Sequence, residues 1–312
     1  MLTRRQVSGI SLVSSTRRLM KLVGIVAVLA AVVSEDSAVS APIPSNTYQV
    51  IDLGRVGGPG IDVNARALQV PVRVSNLGVP SFVPPTSVVL SGLPGSPSGF
   101  VTNQDASGKY QVGYIELGGG RTQSFVIENS TARLVTDLGG ITLSDSAWGV
   151  NGQGSFVGDV NYQAGGGGLQ QTRTFYIKPG RDTGLPGDTI ILPPTGPGSL
   201  AFGLNDLNQL VGSLQRGGAT HAFALSDVTS PAIDLNDLIQ SNLWVFNVAT
   251  DINNQGDIVG YGTSLGNGDV HALLLKVVPE PATWIMMLVV GAVGGFLSRN
   301  RRQRAAESSN VA

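Results

Sequence analysis

Two landmarks recur at regular intervals along the middle of this sequence. The first is an asparagine seven residues before a glycine, and the clear copies contain Asn151, Asn205 and Asn253, in GVNGQGSFVG, GLNDLNQLVG and DINNQGDIVG. Two weaker copies precede them: DVNARALQVP, with Asn64 and with Pro71 in place of the glycine, and DASGKYQVG, which ends at Gly113 with one extra residue. A motif that returns at a fixed period is the signature of a repeat architecture.

The second landmark is an apolar run centred on a phenylalanine. Successive centres are 43, 50, 48 and 50 residues apart, and they are Phe82, Phe125, Phe175, Phe223 and, in the last copy, Leu273. A third apolar run follows each of the first four centres, and these runs begin at Val88, Leu134, Asp188 and Ala232. The two landmarks and the third run keep the same order in five units, which predicts a five-unit β-repeat domain over residues 42–278.

The fifth unit ends at Val277 without a third run of its own. The missing segment is found at the other end, where Tyr48–Gly54 (YQVIDLG) resembles the third run LVTDLGG. A first strand that completes the last unit would close a ring and leave no exposed sheet edge. We therefore predict an all-β repeat protein, a five-bladed β-propeller closed by the N-terminal strand, and an open solenoid is the alternative. Each unit shows three clear strands, one fewer than a usual blade, so Ser213–Gly218 or Val160–Leu169 is expected to extend the second strand.

The best copy of the phenylalanine run, His221-Ala222-Phe223, resembles the HAF family of extracellular repeats. The resemblance extends over about Tyr48–Val277 and is strongest in the last two units, although the last unit has His-Ala-Leu at His271. It implies export and repetition, and it implies no known chemistry.

Composition supports an all-β domain with many tight turns. The 312 residues include 42 glycines, and the hydrophobic fraction of 42% is too high for a disordered chain. Residues 42–278 contain 11 Lys and Arg against 17 Asp and Glu, a net charge of −6. An acidic body excludes the basic surface that nucleic acid requires. The absence of cysteine excludes disulfides, thiol nucleophiles and thiolate metal sites.

The first 41 residues have the layout of a signal peptide, with a helical apolar segment. Basic residues up to Lys21 precede the apolar run Leu22–Val33, and small residues continue to Ala41. We expect export through the Sec machinery with cleavage after Ala41, and Ser34 is the alternative cleavage position. Arg17–Arg18 leave a twin-arginine signal as the alternative export route.

The C-terminal segment has three parts. Val278-Pro279-Glu280-Pro281 is followed by the apolar run Ala282–Leu297 and then by a basic cluster, Arg299, Arg301, Arg302 and Arg304. Sixteen helical residues span about 24 Å, so the run predicts a single transmembrane helix with Trp284 at one interface. The arginine cluster should remain cytoplasmic, which places the acidic body across the membrane.

This end of the chain resembles the PEP-CTERM sorting signal of Gram-negative bacteria, over residues 279–304, and leaves a tail of residues 305–312. The resemblance implies that an exosortase-like enzyme recognises Val278, Pro279, Glu280 and Pro281, cuts nearby and passes the protein to the cell envelope or the exterior. An ordinary tail anchor after a proline linker is the alternative.

Few residues suggest chemistry of their own. Asn151, Asn205 and Asn253 are expected to stabilise tight turns, because asparagine side chains bond to the backbone two residues on. A calcium site at Asp251, Asn253 and Asp257 is the alternative for the last of these. His221 and His271 occupy equivalent positions of adjacent units, and we expect a structural role rather than a shared metal site. We expect no cofactor and no metal.

The sequence favours a non-catalytic protein. The body contains two glutamates, Glu116 and Glu128, and it lacks GxSxG, HExxH and GxxxxGK[ST] motifs. The predicted function is that of an exported repeat protein sorted to the envelope or extracellular matrix, where it binds or scaffolds exopolysaccharide. The alternative is a secreted glycan-active enzyme on the same scaffold, with Asp145, Asp159 and Asp182 as the carboxylates to test.

Overall fold

The computed structural model describes residues 48–62, 67, 69, 71–136, 138, 141–163, 170–178, 189–191, 198–239 and 241–278. All of them belong to one compact unit, Ser40–Ala312. The predicted signal peptide and the predicted transmembrane helix, 282–297, lie outside the described residues. The described chain is all-β, as predicted, with a short 3-10 helix at Leu235–Asp237.

The strands are short and follow one another through tight turns. In chain order they are β1 (Tyr48–Gly57), β2 (Val72–Val74), β3 (Pro80–Phe82), β4 (Thr86–Val89), β5 (Ser98–Gln104), β6 (Tyr110–Gly118), β7 (Arg121–Glu128), β8 (Thr131–Leu134), β9 (Ile141–Val150), β10 (Phe156–Gln163), β11 (Gln170–Ile177), β12 (Thr189–Ile191), β13 (Leu200–Leu204), β14 (Leu210–Arg216), β15 (Ala219–Leu225), β16 (Ile233–Asp234), β17 (Trp244–Ile252), β18 (Ile258–Ser264) and β19 (Val270–Val277).

These strands form separate antiparallel sheets. Two sheets contain four consecutive strands, β9–β12 and β13–β16. A third, in the order β1-β19-β18-β17, also has four strands, whereas β4–β8 form a five-stranded sheet and β2–β3 a two-stranded one. Two strands from the first predicted unit, β2 and β3, form the smallest sheet among the described strands.

The N-terminal strand β1 pairs with the last strand, as the sequence predicted for Tyr48–Gly54. Tyr48 lies opposite Val277, and the pairing continues to Gly57 opposite Val270. The buried Tyr48 hydroxyl donates a hydrogen bond of 3.2 Å to the carbonyl of Gly256. Contacts between residues more than 200 positions apart thus hold the two ends of the body together.

Five turns share one hydrogen-bond pattern. In each, the first residue accepts a hydrogen bond at its carbonyl from the residue three positions later, and these first residues are Ser75, Asp105, Asn151, Asn205 and Asn253. The residue three positions later has a positive φ in every case: Gly78, Gly108, Gly154, Asn208 and Gly256. That backbone conformation favours glycine and tolerates asparagine, which explains the turn chemistry in the repeated motif.

The predicted turn role of the three asparagines is confirmed. The side-chain oxygens of Asn151, Asn205 and Asn253 accept hydrogen bonds from the backbone N–H two residues on, at 3.0–3.1 Å.

The prediction for the first unit was wrong in its landmarks. Ser75, and not Asn64, begins the equivalent turn, and its hydroxyl accepts a hydrogen bond from the Val79 backbone N–H. Phe82 lies on β3, directly after that turn, and the run from Val88 lies on β4, which pairs with β5 of the next sheet. Asn64 itself lies outside the described residues.

The fourth strand of each four-stranded sheet was also assigned wrongly. It is the strand that ends just before the turn, as in β9, β13 and β17, rather than an extension of the second strand. Ser213–Gly218 does contribute to β14 through Arg216.

The glycine and phenylalanine landmarks face each other across neighbouring strands. Gly113 lies opposite Phe125, Gly158 opposite Phe175, Gly212 opposite Phe223 and Gly260 opposite Leu273. A Cβ built on Gly158 or Gly212 would lie 2.6–2.8 Å from the phenylalanine ring. The missing side chain makes room for a fully buried ring, so the two landmarks are one packing feature.

Candidate functional site

Four strands that lead into the turns carry a bulge at the same place. At that place the register of β5, β9, β13 and β17 against the next strand skips one residue, namely Thr102, Trp148, Phe202 and Thr250. Each of these four residues lies three positions before the first residue of its turn. β9 and β17 each skip a second residue further from the turn. A bulge takes a residue out of the regular ladder, so its carbonyl is available to another donor.

Arg73 on β2 is that donor. Its guanidinium donates to the carbonyls of Thr102 at 2.8 Å and Trp148 at 3.1 Å through one terminal nitrogen. The other terminal nitrogen donates to Thr250 at 3.0 Å and Phe202 at 3.5 Å. One buried side chain therefore joins four different sheets to the small sheet that carries it.

Asp251 supplies the opposite charge. Its carboxylate lies 3.9 Å from Arg73 and accepts a 2.9 Å hydrogen bond from the Val74 backbone N–H. Burial lowers the pKa of Arg73, and the Asp251 charge opposes that change. Burial likewise raises the pKa of Asp251 from its usual value, against the effect of Arg73. Both shifts follow from removing charged groups from water.

A series of side-chain amides links the turns above Arg73. The Asn151 amide donates to the Asn205 carbonyl, the Asn205 amide to the Asn253 carbonyl, and the Asn253 amide to the Ser75 carbonyl, each at 2.9–3.0 Å. Each asparagine thus has a second role that the turn motif alone does not require, because its side chain bonds its own turn to the neighbouring turn.

A parallel series uses the residues one position further on. The backbone N–H of Gly152 donates to the Asp206 carboxylate, that of Asp206 to the Asn254 side chain, and that of Asn254 to the Asn76 side chain, at 2.7–3.1 Å. Both series run in the same direction and end at the turn that begins with Ser75.

Two of the five turns begin with a residue that has no side-chain amide, so the amide series does not continue through them. Ser75 has a hydroxyl in place of the amide, and Asp105 has a carboxylate, which cannot donate when ionised. A cleft of about 730 Å³ opens among these turns, with Arg73 and Asp251 in its lining. Its walls include hydroxyl, amide and apolar side chains from β3 to β6: Ser81, Thr86, Ser87, Asn103, Gln104, Gln111, Val83, Pro84, Val88 and Val101. This surface offers neutral hydrogen-bonding groups beside small apolar patches.

The calcium alternative is not supported by the contacts of its three residues. Asp251 faces Arg73, Asn253 bonds its own turn, and one Asp257 oxygen accepts from the Val277 backbone N–H at 3.2 Å. Over the described ranges, no group of three or more His, Asp or Glu side chains is arranged to hold a metal ion.

The two histidines each bond an aspartate on the neighbouring strand of their own sheet. His221 Nδ1 lies 2.7 Å from Asp234, and His271 Nδ1 lies 2.9 Å from Asp52. Burial tends to raise the pKa of Asp234, but hydrogen bonds from Asn236, Arg216 and His221 outweigh it and hold the pKa below its usual value. The expected structural role is thus supported by matching contacts in two sheets.

Two aspartates of the enzyme alternative lie on neighbouring strands, Asp145 on β9 and Asp159 on β10. Asp145 is buried, accepts a 2.7 Å hydrogen bond from the Ser124 backbone N–H and borders a smaller cavity of about 210 Å³. Asp159 accepts a hydrogen bond from Trp148 Nε1. Burial raises the pKa of Asp159 to about 6, with a smaller contribution from the Asp145 charge. Asp159 is not part of the lining of that cavity, and Asp182 lies outside the described residues.

The sequence prediction missed the residues that organise the cleft. Arg73, Ser75 and Asp105 belong to its two most degraded units. One signal could have identified Ser75: the segment SNLG has a small hydroxyl residue three positions before a glycine, and serine caps turns as asparagine does.

Val278 is the last described residue at the C-terminal end, and its side chain is 41% exposed. The rest of the predicted sorting element, Pro279–Pro281, and the arginine cluster Arg299–Arg304 lie outside the described residues. In the part of the chain that the structure describes, no helix is long and apolar enough to cross a membrane.

A comparison with known families identifies the segment that follows β19. Residues 277–302 match the PEP-CTERM protein-sorting motif. The match overlaps the predicted segment 279–304 and begins on the last residue of β19. The PEP-CTERM motif indicates an exported protein with a transient membrane anchor, and it implies an exosortase-type sorting enzyme as a partner.

No curated protein matches this chain. Among solved structures, the crystal structure of TolB from Acinetobacter baumannii matches with a TM-score of 0.34 and 13% identity. The match covers 64% of this chain and 46% of the TolB chain, so this chain spans less than half of that structure's length.

Proposed function

We propose that this chain is an exported, non-catalytic binding protein built as a five-bladed β-propeller of HAF-type repeats. In this proposal the signal peptide directs it through the Sec machinery, and the PEP-CTERM motif delivers it to the cell envelope or extracellular matrix. There its cleft binds or scaffolds exopolysaccharide. The observation that carries the binding role is the cleft that opens where the amide series is interrupted.

Three features support the propeller. The five turns share one hydrogen-bond pattern. The guanidinium of Arg73 bonds one equivalent carbonyl in each of four other sheets, as expected for blades arranged around a common centre. The first strand completes the last sheet, as blade closure requires.

Deleting Tyr48–Gly54 tests closure. The deletion exposes the long edge of β19 and uncovers apolar surface, so we expect the body to unfold or to lose most of its cooperative transition. Removal of residues 42–47 is the matched control and should leave the melting temperature within a few degrees. A β1 deletion that melts like its parent would contradict a closed ring.

The chemistry of the cleft favours a neutral polyhydroxyl ligand. Hydroxyls and amides both donate and accept hydrogen bonds, as sugar hydroxyls do. The four charged groups in the lining already bond protein groups: Arg73 and Asp251 face each other, and Asp105 and Asp206 accept hydrogen bonds from backbone N–H groups. Val83, Pro84 and Val88 provide small apolar surfaces beside the polar groups. Binding sites combine apolar surface with a few placed polar groups in this way.

The proposed binding can be measured by titrating the purified exported form with envelope polysaccharide from the producing strain. We expect Asn103→Ala and Gln111→Ala each to weaken binding about tenfold, equivalent to ~1.4 kcal/mol. Gln215→Ala, on an exposed position of β14 outside the cleft lining, should bind as the parent does. Equal affinity of all three variants would rule out the cleft as the binding site.

The glycan-active enzyme remains the second candidate, because Asp159 has a raised pKa and lies near another carboxylate. Asp145→Asn, Asp159→Asn and Asp182→Asn would be assayed separately for release of reducing ends from the same polysaccharide. A hydrolysis that one substitution abolishes would replace the non-catalytic proposal.

A further inference from the structure

The end of the molecule that carries the five turns is also the end from which the sorting motif leaves. We call this end the turn face, defined by Ser75–Val79, Asp105–Tyr110, Asn151–Ser155, Asn205–Gln209 and Asn253–Asp257. Val277 donates its backbone N–H to Asp257, and a Cβ built on Gly256 would lie 3.3 Å from the Val277 side chain. The PEP-CTERM motif begins at Val277, so it starts on the turn face.

A loop close to this exit carries two exposed apolar side chains. Leu77 is 89% exposed and Val79 is 60% exposed, and both belong to the turn that begins with Ser75. A Cβ built on Gly78, between them, would lie 3.8 Å from Lys276 Nζ. The loop that carries these two side chains therefore lies beside the end of the Lys276 side chain, and Lys276 immediately precedes the sorting motif.

The tether between the turn face and the membrane anchor is short. Four residues, Val278–Pro281, separate Val277 from the first residue of the apolar run, Ala282. An extended chain advances at most ~3.6 Å per residue, so Val277 lies within about 18 Å of Ala282. While the anchor is in the membrane, the turn face cannot move far from the lipid surface.

We propose that, before sorting, the turn face rests on the phospholipid bilayer, with Leu77 and Val79 entering the interfacial layer. The occupant of this apolar patch is the lipid surface, since the tether brings that surface within reach. The net charge of −6 on the body disfavours strongly anionic membranes, so a zwitterionic surface is the preferred partner. The cleft has turn residues in its lining, so its mouth faces the bilayer until the sorting enzyme cuts the chain.

The absence of cysteine makes this orientation measurable on the full precursor. Leu77→Cys and Leu265→Cys variants would each carry one environment-sensitive fluorophore and would be reconstituted in phosphatidylcholine vesicles with nitroxide-labelled lipid. Leu265 is the matched control, because it is 60% exposed and follows β18 at the end of that strand remote from the turn face. We expect at least threefold stronger quenching at position 77 than at position 265.

Two outcomes overturn the proposal, and they are distinguishable. If the precursor does not float with the vesicles, the anchor on which the orientation depends is absent. If it floats but positions 77 and 265 are quenched equally, the anchor holds and the orientation is wrong. Leu77→Asp combined with Val79→Asp, reported by a fluorophore at Asn76→Cys, should reduce the quenching at least twofold while the protein still floats.

Discussion

Arg73 holds an unusual position, because its side chain bonds to four sheets other than its own. Each of its terminal nitrogens donates to two carbonyls that bulges have released from the strand ladders. Hydrogen bonds from a charged donor contribute more than neutral ones, and a buried carbonyl left without a donor is costly. The arginine thus donates hydrogen bonds to all four carbonyls that the bulges in β5, β9, β13 and β17 leave outside the strand ladders.

Arg73→Met keeps the side-chain volume but removes the donors and leaves Asp251 without its partner. We expect a loss of about 3–5 kcal/mol of unfolding free energy, as for breaking other buried ion pairs. Urea denaturation measures it. Arg55→Met is the control, since Arg55 is exposed and its ion pair with Asp269 should contribute under ~1 kcal/mol. Similar losses for the two variants would show that Arg73 has no special role.

Asp159 should make stability depend on pH with an unusual sign. Burial raises its folded pKa from 3.8 to about 6, so the native state favours the protonated carboxyl. The contribution of this group is therefore fully present below pH 4 and is lost as the pH rises through about 6. Asp145, whose pKa burial also raises, faces the same region and acts in the same direction.

Asp159→Asn tests this sign, because the amide oxygen can still accept from Trp148 without carrying charge. Melting would be followed from pH 4 to pH 7 for the parent and the variant. We expect the variant to gain stability relative to the parent as the pH rises, by up to roughly 3 kcal/mol. If the stability of Asp159→Asn changes with pH in the same way as that of the parent, the raised pKa of Asp159 is wrong.

At the scale of single residues, the sequence predicts turn residues well and long-range partners poorly. The asparagine turns follow from local chemistry, because a side chain bonds its own backbone two residues away. The partners of Arg73 are 29 to 177 positions away, and no local pattern encodes them. An arginine in a degraded unit therefore looks like an ordinary surface charge until the fold is known.

At the scale of elements, the bulges explain why the strands before the turns were missed. A regular strand alternates inward and outward side chains, and one inserted residue shifts that alternation. In β13 and β17 the skipped residues Phe202 and Thr250 fall within the strand and break its period of two. Three of the strands after the turns, β10, β14 and β18, pair with the strand that follows them in an unbroken register, and the sequence identifies them.

The glycine opposite each phenylalanine gives a sharp test of this packing. A Cβ on Gly212 would overlap the Leu200 carbonyl and lie 2.8 Å from the Phe223 ring. Since both neighbours are held by the sheet, we expect Gly212→Ala to cost about 3 kcal/mol or more, measured by urea denaturation. Gly266→Ala is the matched control, because its nearest neighbour would be the Ser264 hydroxyl at 3.7 Å. If Gly212→Ala leaves the free energy of unfolding unchanged, the glycine and phenylalanine landmarks recur for a reason other than packing.

At the scale of the whole molecule, the two ends of the body meet. Tyr48 and Val277 are paired neighbours on β1 and β19, so the chain before Tyr48 and the sorting motif join the body at neighbouring positions. The sequence predicted this pairing, because a strand missing from one end and present at the other is visible without coordinates. It could not predict the cleft, which depends on the absence of an amide in two degraded turns.

The position of the sorting motif leads to the last prediction. The motif starts where β19 ends, so the sorting enzyme must reach Pro279–Pro281 close beside the folded turn face. Replacing Pro279, Glu280 and Pro281 by alanine removes the recognition element but leaves the apolar run and the arginine cluster unchanged. We expect the precursor to accumulate in the inner membrane, with at least a tenfold loss of the exported form in fractionated cells.

The tail offers a matched control with the same number of changes. Glu307→Ala, Ser308→Ala and Ser309→Ala also remove one acidic residue, but they lie beyond the matched motif. Normal export of the tail variant together with retention of the motif variant would assign the effect to recognition rather than to charge or stability. If both variants reach the exterior at the level of the parent, sorting does not depend on Pro279–Pro281, and a route that ignores the motif must release the protein.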